Sequence, residues 1–338
     1  MCISLATTRP ESCVGGRSGE TKTKNIRFAT WNVRTLVNAD GSVETAARRG
    51  RVSEDRKINL VVREAERLGL EAIGLQETKW FGAASYSVGD ALVISSGRPL
   101  PTENFTRGEG VAVLLRRRAR AAFERGGSQQ SAVSSRLMTC KLKFPLCTGT
   151  QRQCPAERAS VWVHLVVCYA PTFRASRSVK DAFYADLQQT VMAVPLSDHL
   201  IVLGDFNARV GSAVEPQSSG LWRDVHGGFG IGERNDAGME LLDFSLRNNL
   251  TICNTHFRKR MIHLATWRHP RSQRWHCIDY VLVRVSQMQY VVDTHVIRGA
   301  ECSTDHSLLC MTYCLPGRIV PGRNQNQKRR NRRFAVQE

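Results

Sequence analysis

The sequence predicts an α/β fold, a β-rich core with helices outside it, from two observations. Three times, apolar residues at helical spacing lead within a few residues into a short continuous apolar run, the pattern of an amphipathic helix followed by a buried strand. Six further strand-like runs, at 26–32, 111–115, 136–142, 161–169, 278–283 and 307–313, are too many to pair singly with three helices. Two mixed sheets packed face to face and flanked by helices satisfy this count. A single large mixed sheet satisfies it as well, and periodicity does not choose between them.

Residues 1–24 are rich in Thr, Ser, Gly and Lys without periodicity and read as a flexible N-terminal segment. The first helix places Ile58, Val61, Val62, Ala65 and Leu68 on one face, with Gly69 as its C-terminal cap and a strand from Ile73 to Leu75. "RRRAR" at 116–120 follows a strand and reads as a solvated turn. In the second unit Ser178 is the expected cap, with Val179, Ala182, Phe183, Leu187, Val191 and Val194 inward and Pro195 just past the end. The third runs from Asp236 into the strand-like "LTICNT" at 250–255. Residues 315–338 are basic, Asn- and Gln-rich and punctuated by Pro, a second flexible tail, which leaves one domain over 25–314.

A chain of 338 residues with 42% hydrophobic content can bury a large core, and 48 Lys and Arg against 30 Asp and Glu leave a net charge of +18. That surplus favours a polyanionic partner, nucleic acid or an anionic surface, although part of it sits in the 315–338 tail. Eleven cysteines without a Cys-x-x-Cys pair argue against a disulfide framework or a zinc knuckle and for a reducing compartment. The N-terminus lacks a signal-peptide core and no apolar run reaches spanning length, so a soluble intracellular protein without a membrane role is expected.

Several apolar runs end in polar residues. Asn32 ends "RFATWN", Glu77 ends "AIGLQE", Tyr169 ends "HLVVCY", and Asp205 and Asn207 end "LIVLGDFN" around Phe206. Asp279 opens "DYVLV", and Asp305 and His306 precede the last strand. Singly, each has an ordinary role as a turn former, cap or surface residue. Jointly, they place carboxylates, amides, a phenol and an imidazole where strands end, a position from which folds present chemistry.

The ordered motifs "TWNVR", "GLQET", "CYAP", "LGDFN", "HCIDYVLV" and "STDHSLL" resemble the endonuclease/exonuclease/phosphatase superfamily over residues 26–314. The wording "ATWNVRTL", "LQETKW", "GERNDAG" and "LATWRHP" is most similar to the endonuclease domains of non-LTR (LINE-type) retrotransposons and to craniofacial development protein 2-like proteins. The resemblance implies a deoxyribonuclease-like four-layer α/β sandwich and a Mg²⁺-dependent phosphodiesterase, with Mn²⁺ able to substitute. It further implies a DNA endonuclease that nicks one strand. A nuclear protein acting as a monomer is expected, with no obligate protein partner evident in the sequence. By resemblance Glu77, Asn32 and Asp305 hold the metal, Asp205 orients or deprotonates the attacking water, and Asn207 holds it or a phosphate oxygen. His306, paired with Asp279, and Tyr169 contact the scissile phosphate.

Arg34 stands where some DNA-repair members carry a second acid, which removes one direct carboxylate ligand. Arg34, Lys79, Arg174, Thr266 and Trp267 are the expected nucleic-acid contacts, with Trp80, Arg177, Arg258, Lys259, Arg260, Arg268 and Arg271 in neighbouring loops. "KRRNRR" at 328–333 fits a nuclear localisation signal or a nonspecific tail. Two competing readings keep the fold: a phosphoesterase for phospholipid or another small phosphoester, and a nucleic-acid-binding protein that has lost catalysis.

Overall fold

The protein is described here by a computed structural model over residues 25–37, 57–97, 109–145, 160–212 and 220–315. Strand β1 (Asn25–Asn32) leads through helix α1 (Lys57–Arg67) to β2 (Ala72–Gln76), β3 (Ala84–Val88), β4 (Ala91–Ser95), β5 (Val111–Leu115) and helix α2 (Arg117–Arg125). Next come β6 (Gln130–Ser134), β7 (Leu137–Pro145), β8 (Ser160–Tyr169), helix α3 (Arg177–Met192), β9 (His199–Asp205), helix α4 (Asp236–Arg247) and β10 (Leu250–Ile252). A small hairpin, β11 (Trp267–Arg268) and β12 (Trp275–His276), precedes β13 (Asp279–Arg284), β14 (Val291–Ile297) and β15 (Leu308–Cys314).

One sheet has the order β14-β15-β1-β2-β5-β4-β3 and the other β10-β13-β9-β8-β7-β6. The β1–β2 and β8–β9 pairs are parallel, and each has a helix between its strands, because a parallel return requires a crossover. Phe28, Val113, Leu142, Val163, Leu203 and Met311 fill the space between the sheets. On the far side of the six-stranded sheet, Phe183 and Leu187 of α3 and Leu241 and Phe244 of α4 pack on Val202 and Leu282. On the far side of the seven-stranded sheet, Ile58, Val61 and Ala65 of α1 pack on Trp31 and Leu114. Three apolar interfaces in succession make four layers: helix, sheet, sheet, helix. The single-sheet alternative is thereby excluded.

Two local expectations need correction. The "RRRAR" run is not a solvated turn. Arg116 is wholly buried, donating from Nε and Nη2 to Asp90 at 2.9 and 2.8 Å, and α2 begins at the next residue. Ala119, Ala122 and Phe123 give α2 an inner face at helical spacing that the charge run conceals. Helix α3 starts at Arg177, so Ser178 lies inside it, and Ser176 is the flanking residue, with its hydroxyl 3.0 Å from that of Ser178. Val179 and Ala182 are exposed. Each four-residue step turns about 40° round a helix, and the buried face centres on Phe183, Leu187 and Val191. The 1–24 segment and residues 316–338, including "KRRNRR", lie outside the described residues.

Candidate active site

The strand ends meet. In the six-stranded sheet Tyr169, Asp205 and Asp279 share one rung, since Tyr169 pairs with Asp205 in β8–β9 and Asp205 with Asp279 in β9–β13. Asn32 pairs with Gln76 in the other sheet, immediately before Glu77, and His306 enters β15 beside β1. Gly204 prepares the place of Asp205: a Cβ there would sit 2.1 Å from the Cys168 carbonyl oxygen, so only glycine lets β9 approach β8 this closely. Phe206 is buried beneath the outer helices, which leaves Asp205 and Asn207 on either side of it at the cleft. Glu77 and Asn207 both have left-handed backbones, φ 55° and 47°. Asn tolerates this conformation, whereas for Glu it costs about 1–2 kcal/mol that the surroundings must supply.

Asn32 links the two acids. Its Nδ2 donates to Glu77 Oε1 and Asp205 Oδ2, both at 3.0 Å, and its Oδ1 accepts from the Arg34 backbone at 2.9 Å. The Tyr169 hydroxyl donates to Glu77 Oε1 at 3.0 Å. Asp205 Oδ1 accepts from the Asn207 amide at 2.8 Å, while Asn207 Nδ2 donates to the Ala170 carbonyl at 2.9 Å. His306 joins Asp279 through Nδ1 to Oδ2 at 3.0 Å, and its Nε2 stands 3.9 Å from Asp205 Oδ2.

Burial sets the protonation of this cluster. Removal from water, then the neighbouring Asp279, raises the Asp205 carboxyl to about 7, against the opposing pull of His306, Asn32 and the Asn207 amide. For His306 burial works the other way and favours the neutral ring, but the charge of Asp279 and its hydrogen bond, with Asp205 and Asp305 behind, raise the imidazole to about 9. The Tyr169 phenol is held far above its usual range by burial first and by Glu77 and Asp205 second. A carboxylate poised near neutrality faces an imidazolium held on by a second carboxylate, the arrangement of a base and an acid serving one reaction.

Glu77, Tyr169, Asp205, Asn207 and His306 line an open cleft of about 540 Å³ with Arg34, Thr172, Phe173, Arg174, Arg209, Asn235, Trp267, His269 and Asp305. The donors suit a hard cation: the carboxylates of Glu77, Asp205 and Asp305 face a cleft that no thiol lines. Lys79 Nζ is 3.7 Å from Glu77 Oε2, and Asp305 Oδ2 accepts from Trp267 Nε1 at 3.0 Å, so each acid keeps oxygen capacity for a ligand. Among the described residues, Asp205, Asp279 and His306 form one group close enough to hold a metal ion, their ligand atoms lying within 4.8 Å of one another. With the imidazole protonated and bonded to Asp279, that group is better suited to holding a proton than a cation.

The remaining expected residues divide. Arg34, Arg174 and Trp267 line the cleft, and the Trp267 ring centroid is 6.2 Å from that of His306. Lys79 is half-buried against Glu77. Thr266, expected at the DNA surface, is instead fully buried, and its hydroxyl accepts from the backbone amides of Ile278 and Asp279 at 3.0 and 3.2 Å. It holds the start of β13, and with it Asp279. Trp80 is buried in edge-on contact with Tyr86, Arg177 pairs with Asp181 and Glu240, and Lys259 pairs with Asp293. Sequence reading missed Arg209 and Phe173 at the cleft. It also missed Arg136, whose guanidinium lies 5.2 Å from the Tyr169 ring centroid. Arg136 stands just before β7, a strand that carried no visible chemistry, and only the pairing of β7 with β8 brings it to Tyr169.

Comparison with known proteins agrees with this geometry. The AP endonuclease LMAP from Leishmania major shares the fold, with a TM-score of 0.55 at 15% identity over 86% of this chain and 88% of that one. The endonuclease domain of TRAS1, a telomere-specific non-LTR retrotransposon, has a TM-score of 0.50 at 13% identity over 86% of this chain and 99% of that domain. Craniofacial development protein 2 of Bos taurus is 29% identical over 294 residues, 87% of this chain but only 42% of that protein, so the chain spans well under half of its relative. The sequence profile of the Endonuclease/Exonuclease/phosphatase family matches residues 29–306, and the chain belongs to that family, a phosphoester hydrolase by fold and kinship.

Proposed function

We infer that this hydrolase is a Mg²⁺-dependent DNA endonuclease of retroelement origin, nicking one strand to leave a 3′-hydroxyl. The observation that carries the reading is one cleft holding Glu77, Tyr169, Asp205 and His306 beside Arg34, Arg174 and Arg209, an acid–base cluster rimmed by groups that bind phosphates. The net charge of +18 favours a long polyanion such as DNA over a small phosphoester. Likeness to craniofacial development protein 2 and to a retrotransposon endonuclease domain favours the origin. A nuclear location and action as a monomer belong to the same proposal; no helix among the described residues is long and apolar enough to cross a membrane.

Glu77, with Asn32 and Asp305 beside it, would hold Mg²⁺, or Mn²⁺ in its place, and the bound ion supplies neutralisation of charge on the phosphoryl oxygens and on the departing alkoxide. Asp205 takes the proton of the attacking water, since its carboxyl is poised near neutrality. Asn207, braced on the Ala170 carbonyl, keeps the loop at the angle that points Asp205 into the cleft. His306 donates a hydrogen bond from Nε2 to the scissile phosphate, its Nδ1 proton fixed by Asp279. The Tyr169 hydroxyl turns from Glu77 to a phosphate oxygen when substrate enters.

Supercoiled plasmid tests this. Wild type should convert it to open circle with Mg²⁺ and not with EDTA, and Asp205→Ala should leave it intact. Conversion by Asp205→Ala would remove the activity from this site. Hydrolysis of phosphoinositide or sphingolipid without any nicking would overturn DNA as the substrate.

A further inference from the structure

Phe173 is an aromatic side chain at the cleft that the catalytic scheme leaves without a task. Phe173 is 70% exposed and lines the same cleft as Glu77, Tyr169, Asp205 and His306. Exposure alone means little, since single apolar residues are common on protein surfaces. Placement means more. The Ala175 amide donates to the Thr172 carbonyl at 3.0 Å, closing a turn whose two corner residues are Phe173 and Arg174, so both side chains leave from its tip. Lys180, in the first turn of α3, donates from Nζ to the Phe173 carbonyl at 3.2 Å and stands 5.5 Å from the ring centroid. One cation thus fixes both the backbone and the ring, and a ring already held loses little freedom when a ligand arrives.

Arg34, Arg174 and Arg209 line the same cleft as this ring. A fixed aromatic face in one cleft with guanidiniums and with groups that act on a phosphodiester matches a nucleotide: the base lies on the ring and its phosphates meet the arginines. We propose that Phe173 is a base-stacking contact for a nucleotide flanking the scissile phosphate, a proposal that rests on the DNA-cleaving reading above. For its base to reach Phe173, that nucleotide must part from one stacking neighbour. The enzyme therefore favours steps that open easily, and target choice at this position follows from deformability rather than from hydrogen bonds to base edges.

A double-mutant cycle between protein and DNA tests the contact. The cut site in a short duplex is mapped with wild-type enzyme. Duplexes lacking a single base, with tetrahydrofuran in its place, are then made at each position near the cut. Binding is measured by fluorescence anisotropy in Mg²⁺, with the full chain carrying Asp205→Asn to stop turnover, with and without Phe173→Ala. At one position, loss of the base should weaken binding about tenfold when Phe173 is present and less than about twofold when it is replaced by Ala, with Phe173→Tyr behaving like Phe. Equal effects of base loss in both proteins at every position would overturn the stacking contact and leave the nuclease reading intact. Absence of cutting and of binding on every duplex would overturn that reading and the stacking contact together.

Discussion

Asp279 faces Asp205 across the β13–β9 ladder, and His306 bonds the first while its Nε2 stands 3.9 Å from the second. One imidazole thus sits between two buried carboxyls whose repulsion it relieves. The proposed cleavage needs Asp205 without its proton and His306 with one. Activity should therefore rise with pH as Asp205 ionises at about 7 and fall as His306 loses its proton at about 9. Asp279→Asn removes the charge that raises the imidazole, so the alkaline limb should move to lower pH. Initial rates against pH for both proteins read this directly, and an alkaline limb that stays in place would separate Asp279 from the control of His306.

His306→Ala should lower turnover by more than about tenfold while KM changes little, as expected for a contact that strengthens toward the transition state. Circular dichroism and a thermal melt should show a folded protein. A raised KM at unchanged turnover would make His306 a substrate-binding group instead.

Replacing Glu77 by Ala should abolish Mg²⁺-dependent cleavage and leave DNA binding within about threefold, because the phosphate-facing arginines remain. Cleavage that persists would move the metal away from Glu77, toward the cluster of Asp205, Asp279 and His306.

Far from the cleft, Asp90→Ala should destabilise the fold by about 2 kcal/mol, the consequence of leaving the buried Arg116 guanidinium with only the more distant Glu66, at 3.5 Å. The hydrogen bond from Arg116, more than its charge, holds the Asp90 carboxyl below its ordinary range despite partial burial. Urea unfolding measures the loss. Arg116→Met added to Asp90→Ala should recover part of it, since an apolar chain leaves no charge to compensate.

The sandwich was legible because its central strands are apolar runs with β-branched content, β8, β9 and β13 above all. The edge strands β3 and β6 were not. β3 reads "ASYSV" and β6 "QSAVS", and an edge needs only one covered face, so little hydrophobic signal is imposed on it. Of the site, Asn32, Glu77, Tyr169, Asp205 and His306 were visible because each stands at a strand terminus, where local sequence marks the position. Thr266 misled because its neighbour Trp267 does face the cleft, and whether a hydroxyl meets solvent or the amides of Ile278 and Asp279 depends on a strand pairing that no local pattern encodes. Arg116 misled for a similar reason: its partner Asp90 is 26 residues away, and a buried arginine has the same letter as a solvated one.

The Thr304 hydroxyl donates to the Asn32 carbonyl at 2.8 Å across 272 residues of chain, and Lys57 Nζ reaches both the Val33 and the Ser303 carbonyls, at 2.7 and 3.3 Å. The loop carrying Asp305 and His306 is thereby fastened to the end of the first described strand, which also pairs with the last. A growing polypeptide on the ribosome can pair that first strand with β2 early, but its other edge waits for β15 until nearly the whole domain has emerged, and contacts of such sequence separation form slowly. The site is thus completed only when the last strand of the domain has emerged, and a domain cut short before Thr304 would hold most of the acids without the imidazole that the proposed reaction needs.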